Sequence, residues 1–177
     1  VASDVEATER LGLPFKEVTP DALPMASRLY LAMRRYYEEE DVDALAVRCW
    51  PEMPNMFDQW PYLAMTRLAS EDYPIAVEGD VDGAVCALIG KHLGMGVCHS
   101  SDWLEHDADT ITLWHGGNLP FAMSPPVGEP GGPVIANHFN VRKPAVIEST
   151  LRPGMQVTLL RLWELDGSYR MAAIEAE

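Results

Sequence analysis

A change of rhythm near residue 94 constrains this chain more than any other feature. Before it, apolar residues recur at helical spacing and alternate with short apolar runs. After it, the helical spacing is gone and turn residues multiply. Residues 21 to about 40 carry Met25, Leu29, Met33 and Tyr36 at helical intervals, followed by an acidic tail. Residues 44–49 form a short strand-type run, and residues 74–77 form a second. Between them, residues 50–58 contain Pro51 and Pro54 and read as a loop, while residues 59–70 read as a helix. Residues 82–93 make a third helix bearing Val85, Leu88, Ile89 and Leu93, with Gly94 as its stop. Residues 97–100 are a third strand candidate. Strand–helix–strand–helix order predicts a parallel sheet with flanking helices.

The second part reads differently. Residues 110–114 alternate as a strand does, and Gly116, Gly117 and Asn118 end it. Residues 125–133 hold too much proline and glycine to pack regularly. Residues 134–137 and 145–149 are short strand candidates, and residues 156–163 and 169–174 form a hairpin around Asp166-Gly167. The expectation is an α/β segment over residues 1–95 and an antiparallel β unit over residues 96–177, with no internal repeat. The chain starts at Val1 without a methionine and stops at Glu177 directly after a strand, so it reads as a piece of a larger chain.

Composition narrows the partners. The 177 residues suit one ordinary domain. A formal net charge of −14 repels phosphate backbones, which argues against nucleic acid and suits a site that holds a cation. No apolar run approaches the roughly 18 residues of a membrane span, and no basic, apolar signal head is present. Cys49, Cys86 and Cys98 are odd in number and show no CxxC pairing, so they read as reduced thiols of a cytoplasmic protein.

Several side chains could carry chemistry. Glu78 follows the strand Pro74-Ile75-Ala76-Val77 and opens the phrase Glu78-Gly79-Asp80-Val81-Asp82-Gly83. Ligands gather at the carboxyl ends of strands in open α/β sheets, so a carboxylate there is well placed for function. Asp80 or Asp82 is expected simply to cap the next helix. The same phrase has the first alternating acids of a calcium loop but lacks its later ligands. Asp102, in Ser100-Ser101-Asp102-Trp103, also lies just past a strand candidate, although a turn or cap is the common role for such a sequence. His115 ends a strand and precedes two glycines that allow close approach of backbone or ligand. His138 is a weaker candidate. His92 reads as a helix residue, and His106, among acids, as a solvated one.

Together these phrases resemble the L-fucose/L-arabinose isomerase family. The matching stretches are Arg48-Cys49-Trp50-Pro51-Glu52, Val77-Glu78-Gly79-Asp80-Val81-Asp82-Gly83-Ala84, Ser101-Asp102 and Leu113-Trp114-His115-Gly116-Gly117-Asn118-Leu119-Pro120. The resemblance runs from about residue 40 to the end and corresponds to the second half of a family enzyme. It implies a Rossmann-like parallel-sheet segment followed by a barrel-like antiparallel unit. It also implies one manganese ion, or another divalent cation, held by Glu78 and Asp102, which fall at the family's spacing. The family adds a histidine near its C-terminus, often in a His-His pair. That pair is absent here, so the remaining ligand is expected downstream. His115 resembles a further site histidine of the arabinose branch. A homo-oligomer, trimeric or hexameric, is implied as well.

The chemistry implied is aldose–ketose isomerisation through a cis-enediol. A divalent cation grips the oxygens on C1 and C2, while Glu78 and Asp102 move the carbon-bound and hydroxyl protons. Trp50, Trp103 and Trp114 lie close to these phrases, and aromatic faces pack on sugar rings as well as in cores. His115, Asn118, Trp50, Glu52 and Trp103 are the expected substrate-binding residues. Two other classes remain open: a sugar-binding protein without turnover, and an oligomerisation module of the same fold.

Overall fold

In the computed structural model, which describes residues 1–96 and 98–177, the chain begins with α1 (Ala2–Glu9), β1 (Phe15–Lys16), α2 (Leu23–Glu39) and β2 (Leu45–Ala46). It continues with α3 (Glu52–Phe57), α4 (Tyr62–Ser70), β3 (Ile75–Ala76) and α5 (Val81–His92). The strands β4 (Asp102–His106), β5 (Ile111–Trp114), β6 (Val134–Ala136), β7 (Val146–Glu148), β8 (Val157–Leu165) and β9 (Ser168–Ala176) follow.

Helix α4 organises the interior. Every residue from Tyr62 to Ala69 is buried, because the helix is apolar nearly all round and can be covered on every face. Its neighbours are α2, β3 and β7. One core group gathers Leu29, Tyr30, Met33, Trp60, Met65 and Leu68 with Ile75 and Val77, and a second joins Leu23, Ala26 and Leu63 to Ile135 and Ile147. Arg67 is the exception inside this helix. Its guanidinium grips Asp4 of α1 through two bonds of 2.8 Å, reaches Thr8 at 2.8 Å, and lies 3.7 Å above the Tyr30 ring.

Strands β2 and β3 pair in parallel, with Leu45 opposite Ile75 and Ala46 opposite Ala76. The helices between them and α5 after them complete the strand–helix–strand–helix order read from the sequence. Asp80 caps α5, its carboxylate accepting from the Gly83 N–H at 2.9 Å, and Gly94 ends the last turn with φ +68°. The parallel pair goes no further. Residues 98–100 form no strand, and Val97 of the predicted third strand lies outside the described residues.

The barrel-like expectation is corrected. Among the described residues the strands form four small sheets and none closes on itself. β4–β5 and β8–β9 are separate antiparallel hairpins, and β6 pairs antiparallel with β7 but parallel with β1. The β8–β9 turn is the one expected, with Asp166 and Gly167 both at positive φ, 53° and 74°, as a two-residue hairpin turn requires. The whole is a mixed α/β arrangement.

Residues 50–58 are also corrected, since Glu52–Phe57 is helical rather than a loop. Pro54 falls in the first helical turn, where a missing N–H breaks no bond. Among the described residues no helix is long and apolar enough to cross a membrane.

Candidate active site

The parallel pair aims two loops in one direction. Beyond β2 the chain passes Cys49 and Trp50, and beyond β3 it turns sharply at Glu78. The start of β4, the end of β5 and the loop after β6 close around the same space. The result is an open cleft of about 160 Å³, into which Glu78, Asp102, His115, Trp50, Trp114 and His138 project.

The floor is aromatic. Trp50 stacks on Trp60 (5.3 Å between ring centroids, 8° between planes), and Trp60 stacks on His138 (4.1 Å, 20°). Tyr62, at the first position of α4, stacks on Trp60 at 5.1 Å and meets the His115 ring edge-on at 5.6 Å. Trp114 and Phe139 form a second aromatic pair, T-shaped at 4.5 Å. Gly116 allows this crowding, because a Cβ there would lie 2.7 Å from His138 Nε2 and 3.0 Å from the Tyr62 ring.

The neighbouring glycine is under tighter demand. Gly117 has φ +106°, and a Cβ would meet Val146 Cβ at 2.8 Å and the Ile147 carbonyl oxygen at 3.1 Å. Gly117→Ala should therefore destabilise the fold by about 2–3 kcal/mol, through backbone strain and overpacking together. A lowered urea midpoint with an unchanged slope checks this.

Electrostatics separate the acids from the imidazoles. Burial, and secondarily His115, pushes His138 down to about 4. The same causes push His99 down to about 3, and its Nδ1 is shut off from solvent without a partner. Both rings are neutral at pH 7. Tyr62 is held firmly as the phenol, first by burial, then by Cys49 and by the charges of Glu78 and Asp102. Neither Glu78 nor Asp102 makes a side-chain hydrogen bond or ion pair among the described residues.

A depressed histidine has a sign for stability. The unfolded His138 takes up a proton near 6.5 and the folded one only near 4, so its contribution is complete above 6.5 and is lost as pH falls towards 4. We expect a lower urea midpoint at pH 4.5 than at pH 7. His138→Phe, which keeps the stack on Trp60, should shrink that difference.

The expected substrate residues divide. His115 and Trp50 line the cleft with Glu78 and Asp102. Asn118 is buried behind His115, its Oδ1 3.0 Å from His115 Nδ1. With Nδ1 engaged by that oxygen, Nε2 is the ring nitrogen of His115 left for other partners. Glu52 and Trp103 do not line the cleft. Glu52, on α3, pairs with Arg48 at 2.6 Å. Trp103 follows Asp102 along β4, and successive strand residues point to opposite faces. Its ring packs on His106 at 5.4 Å, with Nε1 donating to His106 Nδ1 at 3.2 Å. Trp60, Tyr62 and Phe139 were not among the candidates. Only the run of aromatic and histidine residues at 60, 62, 138 and 139 signals them, and their meeting depends on long-range packing.

No protein-family model matches the chain. Curated relatives are found, and they share one description. The sulfoquinovose isomerase of Alkalicoccus urumqiensis is 28% identical over 149 residues, covering 82% of this chain and 33% of that protein. The sulfoquinovose isomerase of Clostridium sp. (strain MSTE9) is 28% identical over 147 residues, covering 81% and 32%. That of Priestia megaterium (strain ATCC 12872 / QMB1551) is 23% identical over 146 residues, covering 81% and 32%. The chain is similar to sugar isomerases. It spans about a third of the length of the curated relatives it matches.

Proposed function

We propose that this chain is part of an aldose–ketose isomerase in which Glu78 and Asp102 hold a divalent cation and move protons on the sugar. The observation that carries the reading is their meeting. Two carboxylates, each without another partner among the described residues, face one open cleft beside His115. The similarity to sulfoquinovose isomerases supports the reaction class.

The donor set suits a hard cation. Carboxylate oxygens with an imidazole nitrogen fit manganese or magnesium better than a thiolate-seeking metal. Among the described residues no three acidic, histidine or cysteine side chains stand close enough to hold one ion, so the two carboxylates form a partial set, to be completed by a further ligand. When bound, the cation would polarise the sugar's C1 and C2 oxygens and stabilise the charge that develops on them.

The chain's own residues do the rest. One carboxylate takes the proton from carbon, and the other group serves the hydroxyl proton at the adjacent oxygen. His115, with Nδ1 tied to Asn118, offers Nε2 at the same cleft. Trp50 and Trp114 present partly exposed faces on which the apolar side of a sugar ring can lie. The neutral state of His138 and the phenol of Tyr62 add no charge to the walls that Glu78 and Asp102 share, which favours cation binding.

The substrate is an aldose, either neutral, such as L-fucose or L-arabinose, or a sulfosugar as in the relatives' names. Among the described residues the cleft walls carry no lysine or arginine, so a sulfonate would draw its cationic partners from elsewhere in the assembly. We expect a trimer or hexamer. Ketose formation by the full-length protein from L-fucose, L-arabinose and sulfoquinovose, with manganese and with a chelator, tests the reading. Turnover of one of them that the chelator abolishes is the expected result. A protein that binds these sugars with manganese present and forms no ketose would contradict it and favour a binding role.

A further inference from the structure

The turn that carries Glu78 is held in an unusual conformation by a side chain from the loop that follows β2. Glu78 has φ +57° and Gly79 φ +73°, so a non-glycine residue sits in the left-handed region, which L-residues enter only when their surroundings impose it. Two backbone bonds secure the turn: Gly79 N–H donates to the Val47 carbonyl at 3.0 Å, and Asp80 N–H to the Val77 carbonyl at 3.0 Å. The Glu78 N–H itself finds no carbonyl. It donates to the Cys49 sulfur at 3.2 Å.

Cys49 is fully buried and its thiol faces two ways. Besides receiving the Glu78 N–H, the sulfur lies 3.6 Å from the Tyr62 hydroxyl. Tyr62 lines the same cleft as Glu78 and Asp102. The sulfur thus ties the backbone beneath one carboxylate to the aromatic floor of the cleft.

We propose that Cys49 is a positioning residue for the metal-binding carboxylate. It fixes the left-handed Glu78 and the Tyr62 hydroxyl in one frame, so that the Glu78 side chain leaves the turn in the direction of Asp102. This inference rests on the reading of Glu78 as a metal-binding group. Removing the buried sulfur leaves the Glu78 N–H without an acceptor and the Tyr62 hydroxyl without its neighbour, and frees the turn to relax away from its strained conformation. Residues that orient a ligand from behind typically govern metal affinity by about 10–100-fold.

The test is manganese affinity, measured by titration of the full-length protein, for Cys49→Ala, Cys49→Ser and Glu78→Gln beside the natural sequence. Circular dichroism and thermal melting establish that each variant is folded. We expect Cys49→Ala to bind manganese about 10–100-fold more weakly, and Cys49→Ser, which restores an acceptor, to recover most of the loss. A folded Cys49→Ala with undiminished affinity, beside a Glu78→Gln that has lost binding, overturns the positioning role alone. Undiminished affinity in Glu78→Gln overturns the reading of Glu78 and this inference with it. If Cys49→Ala does not fold, Cys49→Val against Cys49→Ser makes the same comparison: weaker binding by the valine variant supports the role, and equal binding overturns it.

Discussion

Glu78→Gln should abolish most activity while leaving the fold intact. The substitution keeps size and shape but removes a charge from the cleft and a base from the reaction. Glu78 is exposed and makes no side-chain hydrogen bond or ion pair among the described residues, so the folded state loses no internal contact. Surface changes of this kind stay within about 0.5 kcal/mol. The lost proton transfer alone predicts a fall in kcat of about 10²–10⁴-fold. Weaker cation binding adds a rise in the metal concentration needed for half-maximal rate. Asp102→Asn should behave alike. Steady-state kinetics over a manganese series, with melting curves for both variants, checks the pair of effects. A large loss of stability would mean that the carboxylate is structural.

The largest stability effect is expected at Asp4. Arg67 is sealed inside α4 and its guanidinium is matched by the Asp4 carboxylate through two bonds of 2.8 Å. The two side chains are 8% and 11% exposed, so this is a buried pair. Removing one partner of such a pair leaves an uncompensated charge and costs about 3–5 kcal/mol. Asp4→Ala should lower the urea midpoint by a corresponding amount. The double change Asp4→Leu with Arg67→Met should cost less than Asp4→Ala alone, because it strands no charge. The pair also has a pH signature. Burial raises the Asp4 carboxyl, but the hydrogen bonds and charge of Arg67 outweigh it and bring it below 3.8. Its contribution is therefore complete above 3.8 and is lost as the pH falls through the lowered value.

What the sequence made legible follows from local rules. Helices α2 and α5 have their apolar residues at helical spacing, and the Asp80 cap and Gly94 stop are short-range signals. The β8–β9 hairpin is written in its Asp-Gly turn. Glu78 was recognisable because a carboxylate directly after a buried strand has few structural duties. Helix α1 was hidden because it has no apolar stripe. Its sole buried residue is Thr8, and the Arg67–Asp4 pair holds it in place. Strand β1, two residues long, exists through its parallel pairing with β6, more than a hundred residues away. Helix α3 was missed because Pro54 looks like a breaker until it is seen to occupy the first turn.

The candidate site shows the same division. Trp103 looked like a site residue because it adjoins Asp102, yet strand alternation turns its ring to the other face. Glu52 adjoins Trp50 in sequence but is engaged by Arg48. His138 and Trp60 are 78 positions apart and meet only through folding. The barrel-like unit was expected from family resemblance alone. Strand content alone does not supply closure, which needs a register that links every neighbour.

The proposed isomerase depends on one cation held through Glu78 and Asp102. Metal-dependent exchange of the sugar's C2 hydrogen tests it most directly. The full-length protein, the manganese salt and the aldose that it turns over would be incubated in heavy water and followed by proton NMR. The account predicts ketose formation with deuterium entering C1 of the ketose and C2 of the recovered aldose, both stopped by a chelator and absent in Glu78→Gln and Asp102→Asn. Ketose formation at full rate in the chelated protein, or in either variant, would contradict it.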